Sequence, residues 1–116
     1  MSIYDHSLQD DDWSTGMLYF RETLQVLILD VEGQCERVGG GNVPWELRQD
    51  AIDFGDALVE SSDGKLGDEV LDEIRALVDA LKELPESAYQ GDAVTALNHP
   101  QWSVVRRIAA KLVERL

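Results

Sequence analysis

Basic residues are scarce in this chain. Ten Lys and Arg stand against 23 Asp and Glu in 116 residues, a formal net charge of −13. Direct nucleic-acid binding needs cationic groups that displace counterions, so the balance argues against it. An anionic membrane surface is disfavoured for the same reason. Cysteine is nearly missing as well: Cys35 stands alone, which excludes an internal disulfide and fits a reducing compartment. Long apolar runs are absent. The longest, residues 26–29, is far too short to span a bilayer. The opening Met1-Ser2-Ile3-Tyr4-Asp5 has neither a basic stretch nor an apolar stretch, so no secretory signal is read there and a cytoplasmic location is expected.

What is present suits one domain. The length is close to that of a single domain, and 44% apolar residues supply one modest core. Apolar side chains recur at helical spacing in four segments, and no segment alternates at period two. The expectation is therefore an all-α, four- to five-helix bundle, up-and-down or irregular, with no sheet.

The first helix is predicted over residues 14–32, after a loosely ordered acidic segment, residues 1–12, with Ser14 or Thr15 as N-cap. Its stripe is Met17, Phe20, Leu24, Leu27 and Val31. Leu18, Tyr19, Val26, Ile28 and Leu29 widen the stripe, which predicts burial on two sides. Gly33 is read as its end, and residues 33–43, with three consecutive glycines, as a flexible loop. The second helix, residues 44–60, starts at Pro44 and buries Leu47, Ala51, Phe54 and Leu58. The third, residues 68–84, buries Val70, Ile74, Leu77, Leu81 and Leu84 before Pro85. A short fifth helix is expected over residues 92–97. The last, residues 100–116, carries Trp102, Val105, Ala109, Leu112 and Leu116 inward, with His99 helping to cap it.

Charge is divided unevenly. Residues 1–60 hold 13 acids and 3 bases, residues 61–99 hold 9 and 3, and residues 100–116 hold 1 and 4. On the second helix Glu46, Asp50, Asp53, Asp56 and Glu60 fall within about a third of the circumference, opposite the core stripe. No base of that helix interrupts them. The third helix instead pairs Asp72 with Arg75 and Asp79 with Lys82 at i, i+3. Three readings of the acidic stripe stay open: it packs beside the basic last helix, it meets a basic partner, or it is simply solvated. Trp45, at the edge of the core stripe, is either a core anchor for the loop or an exposed hot-spot side chain. Tyr4 and Trp13 pose the same choice.

Chemistry-bearing patterns are missing. Neither His6 nor His99 follows a Glu at di-iron spacing, and one Cys with two distant His residues does not make a zinc set. The turn at residues 61–66 resembles part of an EF-hand loop. With Gly64 at its sixth position, Val59 and Val70 occupy the first and twelfth, where calcium needs oxygen ligands. Cys35, near Arg37, has no base beside it. The glycine-rich segment lacks a Gly-Lys-Ser/Thr ending. No catalytic residue, cofactor or metal is therefore assigned.

In size, charge and helicity the chain resembles the small acidic helical immunity proteins of bacteria. It lacks the adjacent-tyrosine motif of the bacteriocin-immunity bundles, so no residue role carries over. The expected function is a non-catalytic module that neutralises or regulates a basic protein, of which a nuclease-type toxin is one form. The contacts expected are Glu46, Asp50, Asp53, Asp56, Glu60 and Trp45. The alternative is an assembly subunit acting through homo-oligomerisation, for which a homodimer suffices. A small enzyme ranks third.

Overall fold

In the computed structural model, which describes residues 8–39, 42–62 and 64–116, six α-helices form among those residues. They are α1 (Leu8–Leu27), α2 (Val31–Val38), α3 (Val43–Ser61), α4 (Asp68–Lys82), α5 (Ala93–Leu97) and α6 (Gln101–Arg115). A 3-10 turn at Glu86–Ala88 sits between α4 and α5. The four long helices close into a ring in which α1 packs on α3, α3 on α4, α4 on α6 and α6 on α1. Neighbours run antiparallel. Gly16 of α1 faces Leu58 near the end of α3 while Val26 near the end of α1 shares a groove with Leu47 near the start of α3, and Arg115 at the end of α6 reaches Glu69 at the start of α4. The domain is an up-and-down four-helix bundle.

The N-terminal half departs from the predicted single helix and loop. The chain leaves α1 at Leu27, and Asp30 starts α2, its Oδ1 accepting from the Gly33 N–H at 2.7 Å. Gly33 does not end a helix; it lies in the first turn of α2. A Cβ there would come within 3.1 Å of Asp30 Oδ1 and 3.2 Å of Leu29 Cβ, so the glycine permits the tight cap. The real stop is Gly39, with φ of 86° and its N–H donating to Cys35 O. The predicted flexible loop over residues 33–43 is thus mostly helix. At the other end, α1 begins at Leu8, so Ser14 and Thr15 are interior residues rather than caps, and residues 8–12 are helical. Residues 1–7, with Tyr4 and His6, lie outside the described residues.

The core is supplied by the predicted stripes. Phe20, Leu24 and Leu27 of α1 meet Leu47, Ala51 and Leu58 of α3, Ile74, Leu77 and Leu81 of α4, and Trp102, Val105, Ala109 and Leu112 of α6. The exception is the width of α1. Leu18 is 53% exposed and Tyr19 49%, so α1 buries one broad face and not two sides, because a ring of four leaves each helix an outer face. Helices α3 and α4 are in tight contact at Gly55, where a Cβ would fall 2.7 Å from Val78 Cγ2.

One end of the bundle is closed by α2, the 3-10 turn and α5. The seal is polar and buried. Gln34 Nε2 donates to Leu27 O at 3.0 Å, and Arg106 Nη2 donates to Gln34 Oε1 at 3.2 Å and Leu97 O at 3.0 Å. Trp102 Nε1 donates to Ala88 O at 2.7 Å. Arg48 Nε donates to Leu81 O at 2.9 Å while its guanidinium lies 4.5 Å from the Tyr89 ring centre. Asp92 N-caps α5 by accepting from the Thr95 N–H and hydroxyl, and His99 Nδ1 accepts from the Gln101 N–H at the start of α6, as expected.

Candidate functional site

Helix α3 carries two unlike faces. Asn42 opens it, its Oδ1 accepting from the Trp45 N–H at 3.2 Å, and Val43 and Pro44 are buried beneath the first turn. Those two side chains anchor the start of the helix, so Trp45, a step of 100° beyond Pro44, turns outward and is 44% exposed. Trp45 is therefore not the core anchor. The exposed arc that it begins continues through Glu46, Gln49, Asp50, Asp53, Asp56, Ala57 and Glu60. Asp50, Asp53 and Glu60 are exposed, and Glu46 and Asp56 half-buried.

Two of the three readings of this stripe can be compared with the geometry. Helix α6 packs on α4 and α1, diagonal to α3, so the basic helix does not lie beside the acidic one. Its Arg115 bridges Glu69 at 2.9 Å and Glu73 at 3.2 Å on α4, and Arg106 points into the closed end. The one base of α3, Arg48, also turns inward. Among the described residues, a single cation lies within 4.0 Å of the stripe, Lys82 of α4, 3.6 Å from Asp56. The expected Asp79–Lys82 pair gives way to this inter-helix contact, whereas Asp72–Arg75 forms at 3.1 Å. Asp53 Oδ1 accepts from Gln49 Nε2 at 3.0 Å, a neutral partner that leaves its charge in place.

Asp50 feels the crowding most. Although exposed overall, it lines a groove between α1 and α3. Partial burial there raises its carboxyl above the ordinary value of 3.8, and the charges of Glu46 and Asp53 raise it further. The groove, about 310 Å³, is lined by Tyr19, Glu22, Thr23, Val26, Leu47, Asp50 and Phe54, and at the α2 side by Arg37 and Val38. The Tyr19 and Phe54 ring centres stand 5.8 Å apart at 33°. Composition and periodicity placed Tyr19 and Phe54 in the core. The signal for the groove was the edge that Phe54 shares with Asp50 four residues earlier.

Cys35 is half-buried on α2, in a second groove of about 550 Å³ with Val31, Glu32, Glu36 and Val94. Arg37 lines the other groove, so the pair that sequence proximity brought together is split by the helix. Trp13 is partly buried, with Lys65 Nζ 5.6 Å from its ring centre. Among the described residues no three His, Cys, Asp or Glu side chains gather closely enough to hold a metal ion, and no helix is long and apolar enough to cross a membrane. No protein-family model, curated protein or solved structure matches the chain.

Proposed function

We propose that this protein is a non-catalytic binding module whose α3 face docks on a basic protein and neutralises or regulates it. The observation that carries the reading is the isolation of the carboxylates: five on one arc, with one lysine contact among them, Arg48 of α3 turned inward, and Arg106 and Arg115 of α6 engaged elsewhere. A rigid anionic ridge of this kind steers a cationic partner at long range, and Trp45 at its end supplies apolar contact area. The narrowest form of the reading is an immunity- or antitoxin-type inhibitor, in which the ridge stands in for the phosphates that a nuclease cleft is shaped to bind.

The homo-oligomer alternative needs exposed apolar side chains gathered on one face. Leu18 and Tyr19 lie on α1 and Ile28 just past its end, while Trp45, Val94 and Val104 belong to α3, α5 and α6. That dispersal favours the heterotypic reading. Size-exclusion chromatography at low and high salt checks it, with a monomer expected at both.

The test uses the wild-type chain and an Asp53→Lys/Glu60→Lys variant as baits in an extract of the native host. Circular dichroism first establishes that both are equally helical. A cationic protein held by the wild type, released as salt rises and not held by the variant is the expected result. Equal capture by both baits, or none by either, removes the proposal.

A further inference from the structure

Resting on the docking role of α3, we propose that the groove between α1 and α3 seats one arginine side chain of the basic partner, its guanidinium over the Tyr19–Phe54 pair and against the Asp50 carboxylate. The groove has the features such an occupant needs. Its volume of about 310 Å³ is at the small end for a ligand pocket and suits a side chain better than a large ligand. Two aromatic side chains from different helices flank it, and Tyr19 is half exposed, so ring surface is accessible to a planar cation. Two carboxylates line it, Glu22 from α1 and Asp50 from α3. Asp50 also belongs to the acidic ridge, so the groove opens directly onto the docking face.

The occupant is a cation because, among the described residues, neither carboxylate is ion-paired within the fold. Arg37 lines the groove from α2, but among the described residues it has no carboxylate within 4.0 Å, so Asp50 and Glu22 remain available. Asp50 is already crowded by Glu46 and Asp53, and an incoming guanidinium relieves that repulsion. An apolar side chain could fill the aromatic part but would bury the two carboxylates without compensation. Arginine suits the site better than lysine, because its guanidinium is more weakly hydrated and stacks on rings while it pairs with a carboxylate.

The full chain, labelled with nitrogen-15, is titrated with acetyl-Gly-Arg-Gly-amide and with the citrulline peptide, which is nearly isosteric and uncharged. The arginine peptide is expected to shift amides in residues 19–26, 37–38 and 47–54, with the citrulline peptide about fivefold weaker. Tyr19→Ala and Asp50→Asn should each weaken the arginine peptide about threefold. Both side chains are exposed enough that the fold does not depend on them. Arg37→Ala should tighten binding, and a loss there would mean that Arg37 itself makes the contact, overturning a cationic occupant. Shifts spread evenly along α3 to Asp56 and Glu60, indifferent to Tyr19→Ala, also overturn the pocket. They leave the acidic-face reading standing, since that reading falls only through the Asp53→Lys/Glu60→Lys comparison.

Discussion

The closed end of the bundle and the outer face of α3 treat polar groups in opposite ways. At the closed end, buried side chains take protein partners: Gln34 bridges Leu27 O and Arg106, Arg106 reaches Leu97 O while its Nε is left without a partner, and Trp102 reaches Ala88 O. On α3, water is available and the carboxylates have almost no protein partners. The difference follows from the cost of leaving a group unmatched. An unsatisfied buried amide or carbonyl loses its solvation outright, whereas an exposed carboxylate keeps its own. Polar pairing therefore marks where this fold needs stability, and the exposed carboxylates of α3 can remain without it.

Removing members of the closed end should produce the largest losses. Trp102 is fully buried in the core and also donates to Ala88 O, so Trp102→Ala creates a cavity and leaves that carbonyl without its donor. A loss of about 3–5 kcal/mol is expected in urea unfolding, a large part of the stability of a domain this size. Gln34→Ala comes next. It removes the acceptor for Arg106 and the donor for Leu27 O, and about 1–3 kcal/mol should be lost. Amide hydrogen exchange should then speed up first in α2, which Gln34 holds to the end of α1. A Gln34→Ala variant as stable as the wild type would mean that the polar seal is not structural, and the contrast with α3 would lose its basis.

Two helical glycines sharpen the same contrast on the inner side. Gly55 lies on the buried edge of α3 and has no room for a methyl group, since Val78 Cγ2 would be 2.7 Å away. Gly16 on α1 has Leu58 Cδ2 at 4.0 Å, an ordinary contact. The same substitution should therefore act with opposite signs. Gly55→Ala should lower stability by about 1 kcal/mol or more, overpacking outweighing the helix propensity gained. Gly16→Ala should raise it by up to about 1 kcal/mol. Thermal unfolding of the two variants side by side reads both signs.

Much of this fold was legible in the sequence because heptad-like spacing reports which face of a helix is buried. Leu24, Ile74, Leu81, Trp102 and Leu112 all lie where their spacing put them. The failures have specific causes. Apolarity alone predicts Leu18 and Tyr19 in the core, because it does not encode how many neighbours α1 has. A glycine after an apolar stripe predicts a helix end and a loop over residues 33–38, whereas Gly33 is the small residue inside a cap that Asp30 makes. The acidic arc itself was visible, as a helix of known register shows which carboxylates share a face. Its surroundings were not. That α6 lies diagonal to α3, that Lys82 crosses to Asp56, and that Tyr19 meets Phe54 are tertiary facts which helical periodicity within one segment does not encode.

The smallest expected effect bears most directly on the acidic face. Asp50 carries a raised carboxyl pKa, first through partial burial and then through Glu46 and Asp53, so its charged form is less favourable in the folded protein than in the unfolded chain. For an acid shifted upward, ionisation above the folded-state pKa costs stability, and that cost disappears as pH falls below the ordinary value of 3.8, where both states are protonated. Asp50→Asn should therefore stabilise the protein at neutral pH by a few tenths of a kcal/mol, raising Tm by roughly 1–2 °C. The gain should shrink as salt screens Glu46 and Asp53, and shrink again as pH drops toward the acid range. Asp92 provides the opposite sign within the same chain. Its carboxylate, held below the ordinary value chiefly by the Thr95 backbone N–H and then by the Thr95 hydroxyl, stabilises the fold above that value and loses its effect as pH falls through the lowered pKa. A Tm gain for Asp50→Asn that is constant in both pH and salt would trace to packing in the groove and not to charge, and the crowding argued for the α3 face would be gone.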